Sequence, residues 1–154
     1  MRWVGLLFWM VLCFAVAGLG ARWTAGEVTG WYTTLKRPAM APPNWVFGPV
    51  WTLLYALMAV AAWRVWLAEP SRARTLALAL FLAQLVLNLA WSWIFFRSHA
   101  MGAALVEVAV LWLAIGGTTA AFSRVTPFGA WLMIPYLAWV SFAAALNAAF
   151  WRLN

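Results

Sequence analysis

Four stretches of this chain, 3–21, 38–63, 75–96 and 125–151, contain no Lys, Arg, Asp, Glu or His. A fifth, 100–123, is broken only by Glu107. A helix crosses a hydrocarbon core of about 30 Å with roughly 20 residues, so each stretch is long enough to span a membrane. Charged residues make up 8% of the chain, against about 25% in an ordinary soluble domain, which leaves no material for a separate soluble unit. The fold class expected is all-α: an integral membrane protein built as a five-transmembrane-helix bundle.

The breakers and charges set the boundaries. A single membrane domain over 1–154 is expected, with helices at about 3–22, 44–64, 75–97, 100–123 and 128–151. The one long connection, about 23–43, is punctuated by Gly26, Gly30, Pro38, Pro42 and Pro43. Arg2 followed by an apolar run with small residues at Ala17, Gly18, Gly20 and Ala21 has the look of a signal peptide. The run exceeds the usual apolar core of about 7–15 residues, and Trp3 and Trp23 flank it as interfacial anchors, so it reads as a retained first helix. Pro49 falls in the first turns of its helix, where a missing donor is tolerated, while Pro135 is interior and should kink the fifth span unless neighbouring groups satisfy the freed carbonyl. An odd number of spans and no internal repeat argue against a simple inverted-repeat transporter.

The formal charge of +7 does not point to nucleic acid, because the basic residues are scattered over helix ends and loops, where they anchor spans and meet lipid phosphates. Five crossings put Arg2, Arg64, Arg72, Arg74 and Arg124 on one side and Arg22, Lys36, Arg37, Arg97 and Arg152 on the other, an even split that assigns no orientation. Arg at every basic position but Lys36 fits a GC-rich bacterial source, and so a bacterial membrane.

Chemistry has few places to reside. One Cys, Cys13, excludes an internal disulfide, and one His, His99, excludes the common metal sites and bis-His haem ligation, so no metal and no resident cofactor are expected. The sequence contains no Asp and no Ser-His-Asp, P-loop or Rossmann pattern, which leaves hydrolysis and phosphoryl transfer without a basis.

What remains is polar and aromatic. Gln84 and Asn88 are four apart in one apolar run, with Trp91 and Phe95 continuing their face. Asn88 fits a ligand contact and an interhelical hydrogen bond equally well. Trp51, Tyr55 and Met58 share a face of the second span, and Pro135, Trp139, Ala143 and Asn147 a face of the fifth, where a Trp beside a small residue gives a flat ligand a ring and room. Among the 14 Trp, those at 3, 23, 63, 66 and 151 lie near span ends and read as interfacial or packing residues. Glu107 is the one acid inside a span, suited to a helix contact or a proton relay. Ala79 and Ala83 give a small-xxx-small pattern for close helix contact.

The segment WYTTLKRPAMAPPNWVFGPVWTLLY, 31–55, with QLVLNLAWSWIFF at 84–96 and PYLAWVSFAAALN at 135–147, resembles the translocator protein family, also called tryptophan-rich sensory proteins or peripheral-type benzodiazepine receptors. The resemblance covers nearly the whole chain in order. It implies a five-helix bundle, a homodimer, and a ligand cavity closed by the first loop. The implied ligands are porphyrins such as protoporphyrin IX, haem, sterols and benzodiazepine-site compounds. The implied lining is Trp31, Tyr32 and Pro42 from the loop, and Trp45, Phe47, Trp51 and Tyr55 from the second span. Asn88, Trp91 and Phe95 would come from the third, and Trp139, Ala143 and Leu146 from the fifth.

The implied role is a membrane receptor or carrier in tetrapyrrole transport, sensing or homeostasis. Two other activities are carried with it. One is light- and oxygen-dependent porphyrin degradation through Trp51 and Trp139, the one sense in which the chain would be an enzyme. The other is proton-coupled export through Glu107. The sterol motif of animal members needs a Tyr where this chain has Ala148 and Ala149, which favours a tetrapyrrole; Val28, Tyr32 and Lys36 give only a loose match to a sterol pattern.

Overall fold

A computed structural model describes residues 1–154. Helices account for the architecture: α1 (Arg2–Thr29), a short α2 (Trp31–Thr34), α3 (Phe47–Trp66), α4 (Arg72–Ser92), α5 (Met101–Ser123) and α6 (Pro127–Leu153). A 3-10 turn over Asn44–Val46 leads into α3, and a π-helical turn over Trp93–Arg97 ends α4. With these turns included, five helices are long and apolar enough to cross a membrane. In lipid the backbone must satisfy itself, and 104 of the 123 backbone hydrogen bonds lie within helices.

The spans close into a ring. α1 packs on α3, α3 on α6, α6 on α5, α5 on α4, and α4 returns to α1. Local chemistry fixes the starts: the Ser71 hydroxyl accepts from Arg74 N at 3.1 Å to cap α4, and Pro127 opens α6 where its missing donor is harmless.

Two features depart from the sequence expectation. α1 runs seven residues beyond Arg22 to Thr29, so the connection expected from 23 begins only at Gly30. Trp23–Thr29 offers no Pro, and one glycine, Gly26, costs a helix only about 1 kcal/mol, too little to stop it. The α4 span ends in a π turn, with Ser98 N bonded to Trp93 O at 2.9 Å, instead of continuing as α-helix to 97. α6 carries Pro135 in its interior, as expected.

A buried polar ladder ties α3, α4 and α6 together. Tyr55 donates its hydroxyl to Asn88 Oδ1 (3.1 Å), Asn88 Nδ2 donates to Tyr136 Oη (2.6 Å), and Tyr136 donates to Gln84 Oε1 (2.7 Å). Trp91 Nε1 donates to Asn147 Oδ1 (3.1 Å), and Asn147 Nδ2 to the Met101 carbonyl (2.9 Å), which adds α5. Such bonds in a bundle are each worth about 0.6–2 kcal/mol and set the register of the helices.

Candidate functional site

At the end of the bundle that carries α2, the helices part around a cavity of about 420 Å³, within the range of small-molecule sites. Four spans line it: α1, α3, α4 with its π turn, and α6. α5 contributes no lining residue.

Of the residues expected at the site, the structure brings Tyr32, Phe47, Trp51 and Tyr55 to the cavity wall. Asn88, Trp91 and Phe95 join them from the α4 span, and Trp139, Ala143 and Leu146 from α6. Three others are placed elsewhere. Trp31 lies flat on the His99 ring at 4.0 Å and meets Phe95 edge-on, bracing the lid from outside. Trp45 is 75% exposed, and the Pro42 carbonyl accepts a 2.7 Å bond from Arg37. Glu107 is also outside the lining; both of its carboxyl oxygens are buried without a partner.

The lid is fastened by its own polar groups. Arg37 donates to Asn44 Oδ1 at 3.0 Å and sits 5.7 Å from the centre of the Tyr32 ring. Asn154 Oδ1 accepts from Lys36 N at 2.9 Å, which pins the loop to the end of α6. Arg37 therefore braces the loop against itself and against the face of Tyr32. Burial pushes the Tyr32 phenol above its ordinary range, partly offset by the Arg37 charge, so Tyr32 is a neutral donor at physiological pH.

Inside, the aromatic walls form three groups of rings. Trp51 meets Tyr55 at 5.8 Å and Tyr136 at 6.3 Å, Phe47 meets Trp139 edge-on at 6.1 Å, and Trp91 stacks on Phe95 at 5.4 Å. Two residues of this wall carry a buried donor that has no protein partner, the Tyr32 hydroxyl and Trp139 Nε1. A buried donor left unpaired costs about 1–3 kcal/mol. Asn88 is the reverse case: it faces the cavity, yet both ends of its amide are already bonded to tyrosines.

A whole wall was missing from the sequence reading. α1 supplies Phe14, Ala17, Gly18, Ala21 and Val28, with Gly20 and Thr24 beside them. The signal was present as the small residues at 17, 18, 20 and 21, spaced to leave a shallow helix face, but small residues also look like a cleavage region or plain helix packing. Phe150 of α6 and Phe96 were missed as well; Phe96 reaches the cavity beside Phe95 because the π turn accommodates an extra residue.

Comparison with known proteins gives this geometry a lineage. The TspO/MBR family model matches residues 9–152. The chain belongs to the TspO/MBR family. It is 41% identical to the translocator protein of Homo sapiens over 138 residues, 88% of this chain and 82% of that protein. It is 40% identical to the tryptophan-rich sensory protein of Cereibacter sphaeroides over 154 residues, 100% of this chain and 94% of that one. The tryptophan-rich protein TspO of Chlorobaculum tepidum is 40% identical over 147 residues, 93% of this chain and 91% of its own. This TspO/MBR chain is thus a multi-pass integral membrane protein whose cavity lies within the matched region.

Proposed function

We propose that this TspO/MBR chain is a membrane receptor or carrier that binds a porphyrin, with protoporphyrin IX the best-fitting class, between α1, α3, α4 and α6. The observation that carries this reading is the aromatic cavity with two unpartnered donors, Tyr32 Oη and Trp139 Nε1. A flat macrocycle matches it: rings stack on the indole and phenol walls, each aromatic pair adding about 0.5–1.5 kcal/mol beyond burial. The small face of α1 leaves room for the edge of the plane, and the two donors meet peripheral carboxylate or carbonyl oxygens. Sterols lack the extended π face that these walls reward.

The test is a titration of tryptophan fluorescence in detergent with protoporphyrin IX, haem and cholesterol. Saturable quenching strongest for protoporphyrin, weakened about tenfold in Trp139→Phe, supports the reading. Equal responses to all three ligands, or an unchanged affinity in that variant, would sink it.

A second reading, light-driven porphyrin breakdown, draws support from Trp51 and Trp139 both lying on the cavity wall, with Trp51 in contact with two tyrosines. Loss of the Soret band under light and oxygen should then slow in a Trp51→Phe, Trp139→Phe double variant that still binds. An unaltered rate leaves binding alone. The export reading through Glu107 gains no such support, since that residue is off the cavity. A homodimer through the exposed Ala79 and Ala83 face of α4 belongs to the same proposal; light scattering at the monomer mass would remove it.

A further inference from the structure

The arginines of this chain are mostly occupied or isolated. Arg37 is bonded into the lid, and Arg2, Arg64 and Arg74 lie over aromatic rings. Arg22 of α1 and Arg97 of the π turn instead border one cleft on the outside of the bundle, with Leu19, Trp23, Gly26 and Glu27. Neither guanidinium is paired with a carboxylate. The one acid at the cleft, Glu27, is hydrogen-bonded to His99 Nε2 at 2.8 Å. A Cβ on Gly26 would meet nothing within 4 Å, so the cleft is open at that point.

We propose that this cleft seats the phosphate of a phospholipid headgroup, held between Arg22 and Arg97. Depth supports the assignment. Arg22 is twenty residues along one continuous helix from Arg2, about 30 Å at 1.5 Å per residue, which is the thickness of the hydrocarbon core. With Arg2 at one headgroup layer, Arg22 stands at the other. Trp23 beside it is the amphipathic ring favoured at that depth, and exposed Leu19 lies one turn toward the core, where an acyl chain begins.

Chemistry supports it too. A guanidinium fork matches two phosphate oxygens, and two forks from different helices grip one phosphate from separate directions. Basic clefts between spans at the membrane surface recognise anionic headgroups in this way. The unanswered positive charge favours phosphatidylglycerol over phosphatidylcholine, whose ammonium the arginines repel.

Native mass spectrometry of the full chain, released from detergent with phosphatidylglycerol added, tests the site. One retained lipid per chain is expected, reduced at least about tenfold in Arg22→Gln with Arg97→Gln and preserved in Arg72→Gln with Arg124→Gln at the opposite end. Gly26→Leu, which fills the opening and leaves every charge in place, should also reduce retention. Equal retention in the Arg22, Arg97 variant and the unmodified chain overturns the proposal, as does equal loss in the opposite-end variant. Inorganic phosphate at the same concentration separates the two sources of this chemistry: displacement of the lipid by phosphate alone would show a free-anion site and overturn the lipid assignment.

Discussion

The two ends of this bundle use the same helices and reach opposite states of packing. Away from the lid, Phe81 stacks on Phe122 at 5.8 Å and takes the edge of Trp9 at 5.7 Å, and both phenylalanines are completely buried. There Gly5 of α1 yields its place to the Trp66 ring, which a Cβ would overlap. Near the lid, Gly18 of the same helix faces nothing within 4 Å. One glycine is answered by an indole and the other is left open. Lipid tails are as apolar as side chains, so helices in a membrane gain mainly from van der Waals contact, and unfilled volume forfeits it. The open end is therefore where contact is still to be gained, which suits the proposed ligand.

The largest test of this contrast is aromatic truncation. Phe81→Ala should cost about 3–5 kcal/mol, as in other tightly packed cores, and be seen as a large fall in the thermal unfolding temperature in detergent. Phe47→Ala, on the half-buried cavity wall, should cost far less and instead weaken porphyrin binding. Equal destabilisation by the two would mean that the ends are packed alike.

The glycines sharpen the comparison within a single helix. Gly5→Leu forces bulk against Trp66 and should destabilise by about 1–3 kcal/mol. Gly18→Leu enters open space and replaces a poor helix former, so stability should hold or rise by up to about 1 kcal/mol. The same leucine occupies the cavity and should weaken binding of the macrocycle. Melting temperature and fluorescence titration on both variants separate the two effects; a binding loss in Gly5→Leu as large as in Gly18→Leu would erase the distinction.

Between the ends runs the ladder through Asn88. Asn88→Ala leaves the Tyr55 hydroxyl without its acceptor and the Tyr136 hydroxyl with Gln84 alone, and should cost about 0.6–2 kcal/mol. Combined with Tyr136→Phe, the loss should be smaller than the sum, because the two residues share one bond. Strict additivity would show that the ladder is not a unit. This prediction also separates the two roles the sequence left open for Asn88, since a residue acting on ligand alone would leave the unfolding temperature unmoved.

The spans were legible because charge is so costly in hydrocarbon that its absence over 3–21 or 125–151 leaves little choice. The aromatic walls were legible for a related reason: Trp51 with Tyr55, and Trp91 with Phe95, share helix faces at a spacing of four. What was hidden depends on the third dimension. The α1 wall is written in Ala17, Gly18 and Ala21, whose function is to leave space, and residues that leave space carry no chemical signature. The Trp93–Arg97 π turn carries no periodic signal, since Phe95 and Phe96 are neighbours and a regular helix would turn one of them away. The pairing of Trp31 with His99 joins residues far apart in sequence, so neither could announce the other.

The smallest effect tests the most exposed assumption about the open end, that its unpaired donors wait for a ligand. The Tyr32 hydroxyl is buried and has no protein partner. Removing a buried donor that makes no bond relieves its desolvation cost, so Tyr32→Phe should leave the ligand-free protein as stable or up to about 1 kcal/mol more stable. A hydroxyl used by the ligand gives the opposite sign once the cavity is filled. Porphyrin should then raise the unfolding temperature of Tyr32→Phe less than that of the unmodified chain, by the worth of one hydrogen bond, about 0.5–1.5 kcal/mol. Identical ligand-induced shifts would assign Tyr32 to the lid as an apolar ring only, held by Arg37 and Phe150, and would leave Trp139 Nε1 as the one donor facing the ligand.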